Sequence, residues 1–202
     1  MGIINGSGSI TRYWVEEALP TEFMEELAER LIRHAFRPLD ETSPDESTRG
    51  WVNIMNVLDY RFPAMDYLKE PYLALAYRVD KRKIPAMALK QACLDAEEKV
   101  KELEKVEFLP KAVKMDIKED VKARLLKRSI PDTRTYDMIW NLSTGLVIFG
   151  GVNDKLCDDF SEYFLKTFDL HLIPEYPYGM ALKILEKDNV EAEVLDGLIA
   201  TR

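Results

Sequence analysis

The chain has 202 residues, 47% of them hydrophobic and 32% charged, with 36 acids against 28 bases. That length and apolar share suit one domain, with or without a subdomain, and exclude wholesale disorder. No apolar run nears the roughly 18–20 residues that cross a bilayer, and a formal net charge of −8 argues against a uniformly basic nucleic-acid-binding domain.

From the N-terminus, Met1 to Ser9 is Gly/Ser-rich and lacks the basic and apolar regions of a signal peptide. Ile10 to Glu16, with Tyr13, Trp14 and Val15, reads as a first strand. Pro20-Thr21 opens a helix that Thr21 is expected to cap, and Glu22, Glu25 and Glu26 favour its positive end. Phe23, Leu27 and Leu31 give this helix an apolar face, and Pro38 predicts its end near Phe36. Asp40 to Arg49 is polar and reads as a loop. Trp51 to Phe62 and Pro71 to Val79 read as two strands joined through Pro63.

Pro85 suits the first turn of a helix running to about Val106. Leu89, Cys93, Ala96, Val100 and Leu103 recur along it at alternating spacings of four and three, a seam that requires a partner helix. Val113, Ile117, Val121 and Leu125, spaced by four, supply that partner. The pair forms an αα-hairpin turning around Phe108-Leu109-Pro110, long enough at about 30 Å to project from a small domain. Thr133 to Leu142 and Leu146 to Val152 follow as a β-hairpin turning at Ser143-Thr144-Gly145. Asn153 caps an amphipathic helix carrying Leu156, Phe160, Phe164 and Phe168, and Ala181 to Arg202 is a short helix or a frayed tail. The predicted fold is α+β: a small antiparallel sheet flanked by helices, with a projecting helical hairpin. Residues 1–84 and 130–180 are expected to form the core, 85–129 the inserted hairpin and 181–202 the tail.

Little in the sequence points to catalysis. His34 and His171 are the only histidines, Cys93 and Cys157 lie far apart without CxxC spacing, and no closed zinc site or nucleophile motif results. The cysteines read as reduced, as in a cytosolic protein. His34 ends a helix, where a positive imidazole suits the negative C-terminal end, and structural roles are expected for both histidines. Gly150-Gly151 lacks phosphate-loop spacing and reads as a turn leaving a strand. Asp158-Asp159 diverge by about 100° on a helix, and Glu97-Glu98-Lys99 lies on the seam helix rather than at a strand end. Neither builds the carboxylate cage of a two-metal nuclease. No catalytic residue, metal or cofactor is assigned.

The middle of the chain carries the positive signal. Arg78 to Arg134 holds 16 Lys/Arg and 11 Asp/Glu, a net of +5, leaving 12 bases and 25 acids, a net of −13, elsewhere. Lys114, Lys118 and Lys122 are spaced by four with Lys111 on the same side, a lysine row beside the apolar one. Arg124, Lys127, Arg128 and Arg134 extend it, and Lys81, Arg82 and Lys83 cluster where the preceding helix begins. Such cations satisfy what sequence-independent DNA binding asks, a row able to displace phosphate counterions. Asp116, Glu119 and Asp120 equally suit a solvated face of mixed charge, and the pattern alone leaves both readings open.

Several segments, in order, resemble the bacterial recombination-associated RdgC family. They are His34-Ala35-Phe36-Arg37-Pro38, Gly50-Trp51-Val52, Lys81-Arg82-Lys83-Ile84-Pro85 and Ile117-Lys118-Glu119-Asp120-Val121 followed by Leu125-Leu126. The strand Met138-Ile139-Trp140 and the return Gly145-Leu146-Val147-Ile148 complete the set, over roughly Ser9 to Pro177. The resemblance implies a cytoplasmic, nucleoid-associated α+β protein that forms a homodimeric ring on double-stranded DNA and restrains a recombinase filament by competition. It further implies a tip-to-tip contact between hairpins, at the location of Phe108 and Leu109. Family members are sometimes labelled exonucleases. They also continue well past the segment resembling Pro174 to Tyr178, so part of the ring's base and its second dimer contact is expected to be missing here. The alternative function is a protein-interaction or self-association module that uses the hairpin tip without appreciable DNA binding.

Overall fold

The computed structural model describes residues 3, 6, 8–40, 42–63, 65–187 and 195. The fold is α+β, with the element order β1 (Thr11–Val15), α1 (Phe23–Arg33), β2 (Ser47–Asn53), β3 (Leu68–Lys69), β4 (Tyr72–Lys81), α2 (Ala86–Glu104), α3 (Lys111–Arg128), β5 (Asp132–Asn141), β6 (Leu146–Phe149), α4 (Asp154–Phe168), β7 (Leu172–Pro174) and α5 (Pro177–Lys187). The seven strands form one sheet in the order β2-β4-β5-β6-β1-β7, with β3 paired to β4. The pairings β1·β6, β1·β7, β3·β4 and β5·β6 are antiparallel. No helix among the described residues is long and apolar enough to cross a membrane.

The chain divides into two compact units, one of Met1–Ala35, Trp51–Tyr77 and Tyr136–Arg202, the other of Phe36–Gly50 and Arg78–Thr135. In the first unit, alternation along the strands builds the core. Tyr13, Val147 and Trp140 are register partners across β1, β6 and β5, and all are buried. Two residues along β6, Phe149 stacks on Phe160 of α4 with ring centroids 3.8 Å apart. Trp140 meets Phe23 of α1 and Phe164 and Phe168 of α4 at 5.1–5.4 Å. The helices α1 and α4 therefore lay their apolar stripes on one sheet face. Each fully buried aromatic contributes about 1.5–3 kcal/mol relative to exposure. Trp51 adds a polar tie, its indole N–H donating to Thr167 Oγ1 at 2.9 Å.

Several local expectations hold. Asn153 caps α4, its side-chain oxygen accepting from Leu156 N at 3.2 Å. Gly145 has φ +78° in the β5–β6 turn, the left-handed region that glycine enters without a steric penalty. Gly151 is a packing requirement, because a Cβ there would lie 2.7 Å from both Leu156 Cδ2 and a Phe149 ring carbon. Cys93 and Cys157 are free thiols.

Other expectations need correction. The cap of α1 is Glu22 without a side-chain hydrogen bond, so Thr21 does not cap it. The predicted strand Trp51 to Phe62 stops at Asn53, and β2 instead begins at Ser47, inside the expected loop. Asn53 ends it by offering Oδ1 to the backbone N–H groups of Met55 and Asn56 while its amide donates to Asp66. Local side-chain acceptors of this kind compete with the sheet ladder. The short edge strand β7 was not anticipated, and α5 starts four residues before the expected Ala181. The remainder of the predicted tail, 188–194 and 196–202, lies outside the described residues, as do residues 1, 2, 4, 5 and 7 of the Gly/Ser-rich start.

Candidate nucleic-acid interface

All the cations of the basic segment fall within the second unit. Prolines start both of its helices: Pro85 is the N-cap of α2 and Pro110 that of α3, each with φ near −60°. The left-handed Lys105, φ 55°, ends α2 with its N–H on the carbonyl of Lys101. α2 and α3 pack on each other, with Ala96 and Val100 facing Ile117 and Val121. The seam is incompletely filled. Those four residues, with Asp120 and Arg124, line a groove of about 270 Å³. No residue of α2 is fully buried, and Leu103, expected in the seam, is 82% exposed.

On α3 the row Lys111, Lys114, Lys118 and Lys122 is exposed throughout, as are Arg124, Lys127 and Arg128. Two of the row carry carboxylate partners: Lys114 Nζ lies 3.5 Å from Glu97 Oε2, and Lys122 Nζ lies 2.5 Å from Glu46 Oε1. Lys111 and Lys118 make no ion pair among the described residues. Lys81 and Lys83 are exposed at the end of β4, and Lys83 Nζ lies 3.9 Å from Asp132, which also receives Arg134 at 3.4 Å.

Arg82, between those lysines, is only 6% exposed. Its Nη1 donates to the carbonyls of Ser43 and Asp45 at 2.8 and 3.4 Å, and its Nη2 to that of Asp40 at 3.1 Å. Its backbone N–H donates to Glu46 O at 2.8 Å. The fork of the guanidinium suits such carbonyl clamping, and a side chain so used is not presented to a phosphate. Lys81 is the last residue of β4, and Arg82, just past it, is the one of the three that the carbonyls of Asp40, Ser43 and Asp45 hold.

At the tip the two apolar neighbours part company. Phe108 is 80% exposed and Leu109 only 8%. Val106 and Met115 are exposed nearby in the chain. The expectation that both tip residues stand free is therefore corrected for Leu109, which the turn directs inward.

The histidines occupy structural positions. His34 ends α1, and its carbonyl accepts from Trp51 N and the Tyr163 hydroxyl. Burial, with the charges of Lys166, Arg33 and Arg30, lowers its pKa, so the imidazolium expected at this helix end is disfavoured. His171 is exposed and pairs with Glu17, its N–H donating to Oε2 at 2.8 Å and its Nδ1 lying 2.5 Å from Oε1. With Glu16 these form the one cluster of three metal-capable side chains among the described residues, all exposed. Neither Asp158-Asp159 nor Glu97-Glu98 gathers a third such ligand there.

Sequence reasoning missed the partnership of Glu46 with Lys122. The acid-rich composition of the 40–49 segment was visible, but nothing local announces which cation it meets.

No curated protein matches the chain. A family model described as “Putative exonuclease, RdgC” matches residues 9–178 of the 202. It spans every element of the sheet and the whole of the basic helix pair, and on that match the chain belongs to the RdgC family.

Proposed function

We propose that this protein binds double-stranded DNA without sequence preference and acts in recombination as a binder rather than an enzyme. Its family membership associates it with DNA and recombination. The observation that carries the finer reading is the row Lys111, Lys114, Lys118 and Lys122, exposed along one face of an 18-residue helix. The interface would comprise these with Lys81, Lys83, Arg124, Lys127 and Arg128, carried by the inserted hairpin at 85–129 and its base. Arg82 is left out because its guanidinium is engaged by backbone carbonyls. A homodimer on DNA, competing with a recombinase filament in a nucleoid-associated cytoplasmic setting, completes this reading.

Replacing Lys114, Lys118 and Lys122 with Gln tests it. Binding to every duplex sequence should weaken about equally, and the log–log salt slope should flatten by roughly two. Helix content should hardly change, since Gln and Lys have similar propensity. An unaltered affinity and slope would reduce the row to a solvated helix face. The binder reading also expects no degradation of labelled duplex or single strands by the purified chain with magnesium or manganese. Degradation abolished by removing specific acids would establish the exonuclease instead.

A second reading is favoured by Phe108, a large apolar side chain left 80% exposed. Grouped apolar exposure marks contact surfaces where a single residue does not, and Leu103 and Val106 are exposed close to it in the chain. In this reading the tip serves protein interaction or self-association without appreciable DNA affinity.

A further inference from the structure

The lysine row has a neighbour of opposite charge within the same unit. Asp40 and the stretch 42–46 are fastened by Arg82, whose side chain and backbone donate to the carbonyls of Asp40, Ser43, Asp45 and Glu46. So held, they bring Glu46 Oε1 to 2.5 Å from Lys122 Nζ. Asp40 is kept below the ordinary aspartate range chiefly by the backbone N–H and hydroxyl of Thr42, and the charges of Arg82 and Lys127 act in the same direction. The acidic segment thus also lies within electrostatic reach of a second α3 cation.

The Glu46–Lys122 pair is a poor stabiliser, with 59% and 45% of its side chains exposed. Exposed pairs contribute little to folding. Its effect on a competing anion is larger, because a tethered carboxylate is always at hand and a phosphate must displace it. We propose that Glu46, so held, is a built-in competitor for phosphate, occupying Lys122 and keeping DNA affinity below what the lysine row alone would give. This rests on the DNA-binding reading above and adds to it an affinity-limiting residue outside the basic hairpin.

The test uses the full chain and a labelled random-sequence duplex over a range of salt. Glu46→Gln should bind about two- to fivefold more tightly at low salt and steepen the log–log salt slope by roughly one, as one more phosphate contact is made. Glu25→Gln, an equal charge change at an exposed acid of α1, should bind as the parent does. In a Lys122→Gln background, Glu46→Gln should give no gain. If the parent binds and Glu46→Gln matches it, or if Glu25→Gln or the Lys122→Gln background shows the same gain, the competitor is refuted while DNA binding stands. If neither the parent nor Glu46→Gln binds at the lowest salt, the competitor and the DNA reading fall together.

Discussion

Glu17 grips His171 with both carboxylate oxygens, joining the end of β1 to the start of β7. The side-chain hydrogen bond and then the charge of Glu17 raise the His171 pKa above 6.5, with smaller help from Glu16 and Asp169. The hydrogen bonds from the His171 ring and backbone lower Glu17 below 4.5. The raised His171 contributes below pH 6.5 and loses that contribution as pH rises through its folded pKa. The lowered Glu17 contributes above pH 4.5 and loses it as pH falls through its own folded pKa. The pair therefore acts fully between about pH 4.5 and 6.5 and fades on both sides. Glu17→Gln should bring the His171 titration midpoint, followed by NMR of the imidazole protons, down toward 6.5. A midpoint that does not move would mean the contact is absent in solution.

At the scale of the element, α2 and α3 show how a sound seam differs from a full one. Apolar spacing predicts the pairing, yet Ala96 and Val100 are too small to close it, leaving the groove beside Ile117 and Val121. Unfilled space forfeits dispersion contacts that a larger side chain can recover. Val100→Leu should raise the stability of the chain by about 1 kcal/mol, from one added buried methylene and a better helix propensity. Denaturant titration measures this, and a lowered midpoint would show that the groove cannot accept the extra carbon. β2 carries the complementary lesson. Its polar first half, Ser47 to Arg49, lacks the alternation that marks a strand, and neighbouring strand β4 recruits it through the sheet. Tertiary pairing overrode local preference there.

Over the whole molecule, charge and apolar exposure are unevenly distributed, and the tip is where self-association would be read. Phe108→Ser should lower the dimer fraction in sedimentation, while the melting temperature at dilutions where the parent is monomeric stays put, since the ring of the single chain is in water already. Leu109→Ala should do the reverse, costing roughly 2–5 kcal/mol as a buried truncation with no direct effect on assembly. A parent that remains monomeric at high concentration would remove the basis for a tip contact. The net charge of −8 conceals a basic segment of +5 against −13 elsewhere. The acidic remainder is not simply remote, because Glu46 meets the basic helix directly.

The sequence by itself determined the α+β class, the two proline-started helices and the Asn153 cap, because each rests on spacing or on a residue's own backbone preference. The ordered segments from His34 to Ile148 likewise identified the family that the match over residues 9–178 establishes. The lysine row was legible too, since spacings of three and four residues place its members on one side of a helix. What only the tertiary structure decided was each charge's company. Arg82, Lys81 and Lys83 are alike as letters, yet one is buried against three carbonyls and two are exposed. Glu17 meets His171 across 154 positions, and Glu46 meets Lys122 across three strands and a helix of intervening chain. Such meetings are set by long-range packing, on which local periodicity carries no information.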